Sequence, residues 1–159
     1  MPRKVTKALV RDIPADRLYQ SVPVQRLINR VMQDGKKQIA ERLVYGGLQQ
    51  AADKLKVQNP LEVFEQAFKN VQPHMETRSR RVGGANYQIP FEVKGQRQQH
   101  LTIMWFVAAA RARKGMSMAD RLALEFADAY NGQGAAVKKR EDTQRMADAN
   151  RAFAHFART

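Results

Sequence analysis

Three observations predict a mainly α fold of about six helices with one two-stranded β-hairpin. Apolar residues recur at helical spacing in six stretches, each bounded by glycine, proline or a polar capping residue. Only residues 74–93 change to a period of two, around Gly83-Gly84. The chain has 159 residues and no cysteine. That length suits a single domain over 1–159, able to bury roughly 68–70% of its unfolded surface without a disulfide or a metal.

The first twenty residues lack clean periodicity and read as a basic arm. Ser21 with Pro23 marks a helix start, Leu27, Ile28 and Val31 share a face, and Gly35 marks the stop. Asp34-Gly35-Lys36-Lys37 is the turn into a second helix, where Ile39, Leu43 and Leu48 keep helical spacing beside Val44 and Tyr45. Gly46-Gly47 weakens that helix by about 1 kcal/mol per glycine relative to alanine. A neighbouring helix passing close by would explain the pair. Asn59-Pro60 starts the third helix, with an N-cap, proline at the first position and Glu62 at the third. Leu61, Phe64, Phe68 and Val71 continue its stripe to Pro73.

In the period-2 segment, Arg78, Arg80 and Val82 alternate with Thr77, Ser79 and Arg81, and Ala85, Tyr87, Ile89, Phe91 and Val93 alternate with polar residues and Pro90. Two such runs around Gly-Gly make a hairpin, and Pro90 requires an edge strand. A lone hairpin is marginal, so it must lean on the helices or on a partner. After Gly95, Leu101, Met104, Trp105, Ala108 and Ala112 form one side of a central buried helix that ends at Gly115, widened by Ile103, Phe106 and Val107, with Trp105 in the core. Ser117 and Asp120 resemble a capping box; Leu122, Phe126 and Ala129 follow, and Asn131-Gly132 closes that helix. The last helix spans 134–157, through Met146, Asn150 and Phe153 toward Phe156.

The charge is extreme. Lys and Arg number 28 against 15 Asp and Glu, a net +13, with a pI near 10.5. Such a field attracts polyanions and repels itself. It is also uneven. Arg3, Lys4, Lys7 and Arg11 precede the first acid, Asp12. Residues 77–114 hold eight bases (Arg78, Arg80, Arg81, Lys94, Arg97, Arg111, Arg113 and Lys114) against Glu92 alone. Lys138, Lys139 and Arg140 form a third cluster, partly offset by Glu141 and Asp142. Residues 53–71 are balanced. Three basic clusters around one neutral segment favour a polarised nucleic-acid face. The hairpin guanidiniums can grip phosphates bidentately, although a charged edge strand also resists aggregation. Tyr87 can stack on a base or pack against the helices. Arg111, Arg113 and Lys114 close a helix, where bases complement the dipole, but three exceed that need.

Enzyme chemistry finds no support. His74, His100 and His155 are scattered, no phosphate loop surrounds either Gly-Gly pair, and no acid is expected in an apolar setting that would mark a general acid or a two-metal site. No cofactor or metal is implied. No apolar run approaches a membrane span, and the basic N-terminus lacks the apolar centre of a signal peptide, so a cytoplasmic protein is expected.

Several stretches coincide with one family. Asp34-Gly35-Lys36-Lys37 with Ala40-Glu41 and Val44-Tyr45, Ser79-Arg80-Arg81-Val82-Gly83-Gly84, Tyr87-Gln88-Ile89-Pro90, Ala136 through Asp142, and Met146-Ala147 with Ala149 through His155 occur in order. Together they resemble the small ribosomal subunit protein seven family, in its bacterial or organellar form. Arg111 to Met118 matches only loosely. The resemblance implies a bundle of about six helices with the hairpin protruding between the third and fourth. It implies a ribosome-bound, non-enzymatic protein that binds the 3′ major domain of small-subunit ribosomal RNA early and nucleates the head. Carried over by position, the RNA-facing candidates are Arg3, Lys4, Lys7, Arg11, Lys36, Lys37, Arg78, Arg80, Arg81, Arg97, Arg111, Arg113, Lys114, Lys138, Lys139 and Arg140. The resemblance also implies a site by the messenger exit channel and the exit-site transfer RNA, near Arg80, Arg81, Val82, Gly83, Gly84, Arg145, Asn150 and Arg151. Small-subunit proteins nine and eleven would be neighbours. On this reading the neutral third helix faces away from RNA or toward a protein. Two other readings remain: an architectural DNA-binding protein using the hairpin in a minor groove, and an RNA-processing enzyme, which the scarcity of acids disfavours.

Overall fold

The computed structural model describes residues 12–157. Six α-helices and one antiparallel hairpin follow in the expected order: α1 (Val22–Val31), α2 (Lys37–Leu55), α3 (Pro60–Val71), β1 (Met75–Val82), β2 (Ala85–Glu92), α4 (Gly95–Ala112), α5 (Met118–Tyr130) and α6 (Ala135–Ala149). A 3-10 helix, Arg151–Ala157, comes last.

The apolar stripes meet around three phenylalanines. Phe126 of α5 lies between Phe64 of α3 and Phe106 of α4, with ring centroids 5.9 and 4.9 Å apart. Ile28, Leu48 and Leu122 complete this centre at 0% exposure. Helix α5 packs on α2, α3 and α4 and so holds the bundle together. Its approach to α2 explains the glycine pair. A Cβ on Gly47 would lie 3.0 Å from Leu122 Cβ and 3.1 Å from the Ala119 carbonyl oxygen, whereas one on Gly46 would meet only Ala119 Cβ at 3.9 Å.

The helix ends follow the sequence closely. Asn59 Oδ1 accepts the Leu61 N–H at 3.0 Å, and the Ser117 hydroxyl caps α5 at Asp120 N–H, 3.2 Å. Helix α6 has no capping side chain of its own, because Gly134 stands at that position with φ +95°. Glu125, fully buried on α5, supplies the cap across the structure by accepting Ala136 N–H at 2.9 Å. A Cβ on Gly134 would sit 3.1 Å from that carboxylate, so glycine is required twice over.

Four sequence expectations need correction. Part of the segment read as a loose arm is folded. Asp16, fully buried, accepts backbone N–H groups from Leu18, Tyr19 and Ser21 at 3.0, 2.8 and 2.8 Å and the Tyr45 hydroxyl at 3.2 Å. The chain is thereby pinned to α2 before α1 begins. Ile39 is exposed, because α2 meets its neighbours mainly from Ala40 onward. In α4, Ala108 and Ala112 are exposed, whereas Leu101, Ile103, Trp105, Phe106 and Val107 are buried as expected, and Thr102, Ala109 and Ala110 complete the buried face. The last helix is not continuous over 134–157. Asn150 ends α6 by donating its side-chain amide to Met146 O at 2.8 Å. The tighter 3-10 turn that follows eclipses residues three apart. It therefore aims Phe153 and Phe156 at one target, the Tyr87 ring of β2, with centroids 5.0 and 5.7 Å away.

Candidate nucleic-acid interface

Gly83 and Gly84 close the hairpin with φ of +58° and +90°, the left-handed pair a two-residue turn needs to follow strand twist. The register pairs Arg78 with Ile89 and Arg80 with Tyr87, so Glu76, Arg78 and Arg80 share a face with Tyr87, Ile89 and Phe91. That face turns toward the body: Ile89 is fully buried and Tyr87 packs under the terminal 3-10 helix. A two-stranded sheet has only edges, which meets the requirement of Pro90.

The hairpin arginines consequently differ. Arg78 binds Glu76 and lies over the Phe91 ring, 5.2 Å from its centroid. Arg97 of α4 takes the other oxygen of Glu76 at 2.9 Å. Burial alone would raise the Glu76 carboxyl, but the hydrogen bonds and charges of Arg97 and Arg78 outweigh it and hold the carboxyl below its ordinary 4.5. Arg80 donates to the Phe156 carbonyl at 2.9 Å. Arg81, on the opposite face, is exposed and pairs with no described carboxylate. The tip beyond it is open: a Cβ on Gly83 or Gly84 would meet nothing within 4 Å.

The remaining candidates divide in the same way. Lys36, Lys114, Lys138 and Lys139 are exposed and have no described carboxylate partner. Lys37 lies 3.9 Å from Glu41, and Arg111 reaches back to the Arg30 carbonyl at 3.5 Å. Arg145 is exposed beside Asp142 at 3.6 Å, and Arg151 is exposed at the start of the 3-10 helix. Asn150 serves as the α6 stop. Arg3, Lys4, Lys7 and Arg11 lie outside the described residues.

Two candidates turn inward. Arg113 donates to Glu125 Oε2 at 2.8 Å and to Asp128 Oδ2 at 2.5 Å, neutralising the carboxylate that caps α6. Burial works against the Arg113 cation, but the Glu125 and Asp128 bonds raise its pKa further. Arg140 donates to the Asn70 carbonyl at 2.5 Å, while Asn70 Nδ2 binds the last carbonyls of α5, Ala129 and Tyr130, at 2.9 and 3.0 Å. Both guanidiniums thus tie helices together. Three acids that sequence reasoning did not single out, Asp16, Glu76 and Glu125, are buried. Each accepts hydrogen bonds or ion pairs from neighbouring donors.

A surface that sequence reasoning did not mark is the groove between α1 and α4, of about 460 Å³, lined by Arg26, Asn29, Arg30, Gln96 and His100 among others. The sequence signal was present: Arg26 and Arg30 stand four residues apart, opposite the apolar stripe of α1.

Comparison with known proteins identifies the family. Residues 2–151 match the family described as Ribosomal protein S7p/S5e. The chain belongs to the ribosomal protein S7 family. A relative named small ribosomal subunit protein uS7, from Dictyoglomus turgidum, is 54% identical over 156 residues, covering 98% of this chain and 99% of its own length. Proteins of the same name from Kosmotoga olearia and Thermotoga neapolitana are 55% and 56% identical, over 94% and 92% of this chain and 96% and 94% of theirs. S7 proteins are structural rather than catalytic. Among the described residues, no helix is long and apolar enough to cross a membrane.

Proposed function

We infer that this S7 protein is a structural component of the small ribosomal subunit, bound to the ribosome in the cytoplasm, and that it holds the 3′ major domain of small-subunit ribosomal RNA and nucleates the subunit head. The observation that carries this reading is the hairpin with exposed Arg81, which pairs with no described carboxylate, beside an open Gly83-Gly84 tip, in a chain of net charge +13. Phosphate contacts by Lys36, Arg81, Lys114, Lys138 and Lys139 supply affinity through counterion release, and the fold of an RNA junction supplies specificity. Docking of the 3-10 helix on β2 brings Arg151 toward the hairpin, which supports a surface shared by exit-site transfer RNA and messenger. The balanced α3 surface, with Glu62 and Glu65, suits a protein neighbour, for which small-subunit proteins nine and eleven are the candidates.

The test is binding of the purified protein to the 3′ major domain RNA, to duplex DNA of equal length and to an unrelated folded RNA, at low and near-physiological salt. The cognate RNA should win at the higher salt. Arg80→Ala with Arg81→Ala should weaken it and lower the salt slope by at most about 0.9 per lost phosphate contact. Three equal affinities that collapse together would return the architectural DNA reading.

A further inference from the structure

We propose that the groove between α1 and α4 is a subsite for one unstacked nucleotide of the bound RNA, with Arg26 as its specificity-determining residue. The proposal rests on the RNA-binding reading above and adds a base-reading pocket to it.

The side chains in the groove form three chemical sets. Arg26, Arg30 and His100 supply donors on its walls. Asn29 and Gln96 present amides, which both donate and accept and so match the edge of a base. Ile13 and Ile103 supply apolar surface for a ring or a sugar. Asp12 is the one acid among the described lining residues, so the groove favours an anion that carries an attached polar ring. Its volume of about 460 Å³ falls within the roughly 300–1,000 Å³ of pockets that enclose small organic ligands.

Arg26 points to a missing partner. Its Nη1 donates to Gln99 Oε1 of α4 at 2.5 Å, which anchors the guanidinium across the groove. Its Nε is buried and has no acceptor, alone in this respect among the described buried side-chain atoms. Buried donors are almost always satisfied, and one left open is explained by a group that binds there. A phosphate or base oxygen entering beside Arg26 would satisfy it with a small side-chain shift. A lysine would keep the charge and lose the planar fork. Duplex RNA is met mostly through phosphates and 2′-hydroxyls, whereas a splayed junction nucleotide can enter the recess and engage the amides with its base.

The experiment uses the full-length protein and the 3′ major domain RNA. Arg26→Lys should weaken binding about ten-fold while leaving the salt slope unchanged, because no charge is lost. Arg26 is half-buried, so Gln96→Ala, at an exposed position, provides a variant that leaves the fold intact, and it should weaken binding about five-fold with the same slope. Abasic substitution along the junction strands should then find one position whose removal weakens the parent but not Gln96→Ala. Parent-like affinity in both variants, or a fall in salt slope like that of the Arg80→Ala with Arg81→Ala variant, would overturn the nucleotide subsite and leave the RNA-binding reading standing. Failure of the parent to prefer this RNA would overturn both.

Discussion

Glu76 is 6% exposed and lies between two guanidiniums, Arg78 and Arg97, that are each about half exposed. The carboxylate joins the base of the hairpin to the first turn of α4, so its charge has a mechanical consequence. Its folded pKa is depressed, so the unfolded chain binds more protons below the ordinary 4.5. The stabilisation is therefore present above that pH and is lost as pH falls through the lower folded value. Glu76→Gln should cost about 1–3 kcal/mol at pH 7. Urea melts from pH 7 to pH 3 should show that difference shrinking below 4.5, and a constant gap across the window would contradict the assignment. The residue scale also separates charges that look alike in the sequence. Arg81 and Arg113 both sit in basic runs, yet one faces solvent and the other neutralises a buried carboxylate.

At the scale of elements, the α2–α5 contact decides how the bundle closes. Alanine favours a helix over glycine by about 1 kcal/mol, so Gly46→Ala and Gly47→Ala would be equal gains if propensity alone mattered. The structure breaks that equality. A methyl group added at Gly46 would have 3.9 Å of clearance, but one added at Gly47 would press on Leu122 and on the Ala119 carbonyl at 3.0 and 3.1 Å. Gly46→Ala should stabilise by about 0.5–1 kcal/mol. Gly47→Ala should destabilise by about 1 kcal/mol or more, as overpacking of roughly 1–3 kcal/mol outweighs the propensity gain. Chemical denaturation of the two variants checks this, and a shift of the same sign in both would refute it. The glycine pair, the Asn59-Pro60 start and the two-glycine hairpin turn were all legible in the sequence because each answers a local backbone demand. The break at Asn150 was not legible, because the 3-10 turn is selected by the distant Tyr87 ring that Phe153 and Phe156 reach together.

For the whole molecule, a net charge of +13 sets stability against function. The cations that remain unpaired repel one another until RNA neutralises them. Raising monovalent salt from about 0.02 to 0.3 M shortens the Debye length to less than about 10 Å and should raise the melting temperature of the free protein by several degrees. A scanning-calorimetry series shows this directly, and a flat or falling melting temperature would mean that the internal pairs already balance the field. The same screening should weaken RNA binding, so the two salt dependences run in opposite directions.

Periodicity, capping chemistry and composition act between near neighbours in the chain. They are enough to specify the mainly α class, the order of the six helices, the hairpin between the third and fourth, most helix ends and the surplus of positive charge. The motifs that resemble the family to which the chain belongs are equally local. Which cations are left for RNA is a different matter, settled when the helices pack. Arg113 is drawn inward because Glu125, remote in sequence, needs a donor where water is excluded, and Arg140 turns to the Asn70 carbonyl, also remote in sequence. Packing likewise makes Asp16 an anchor rather than part of a loose arm, and it sets Arg26 and Gln96 on opposite walls of one groove. Burial changes the value of a charge far more than its neighbours in the chain do, and burial is fixed only when the helices meet.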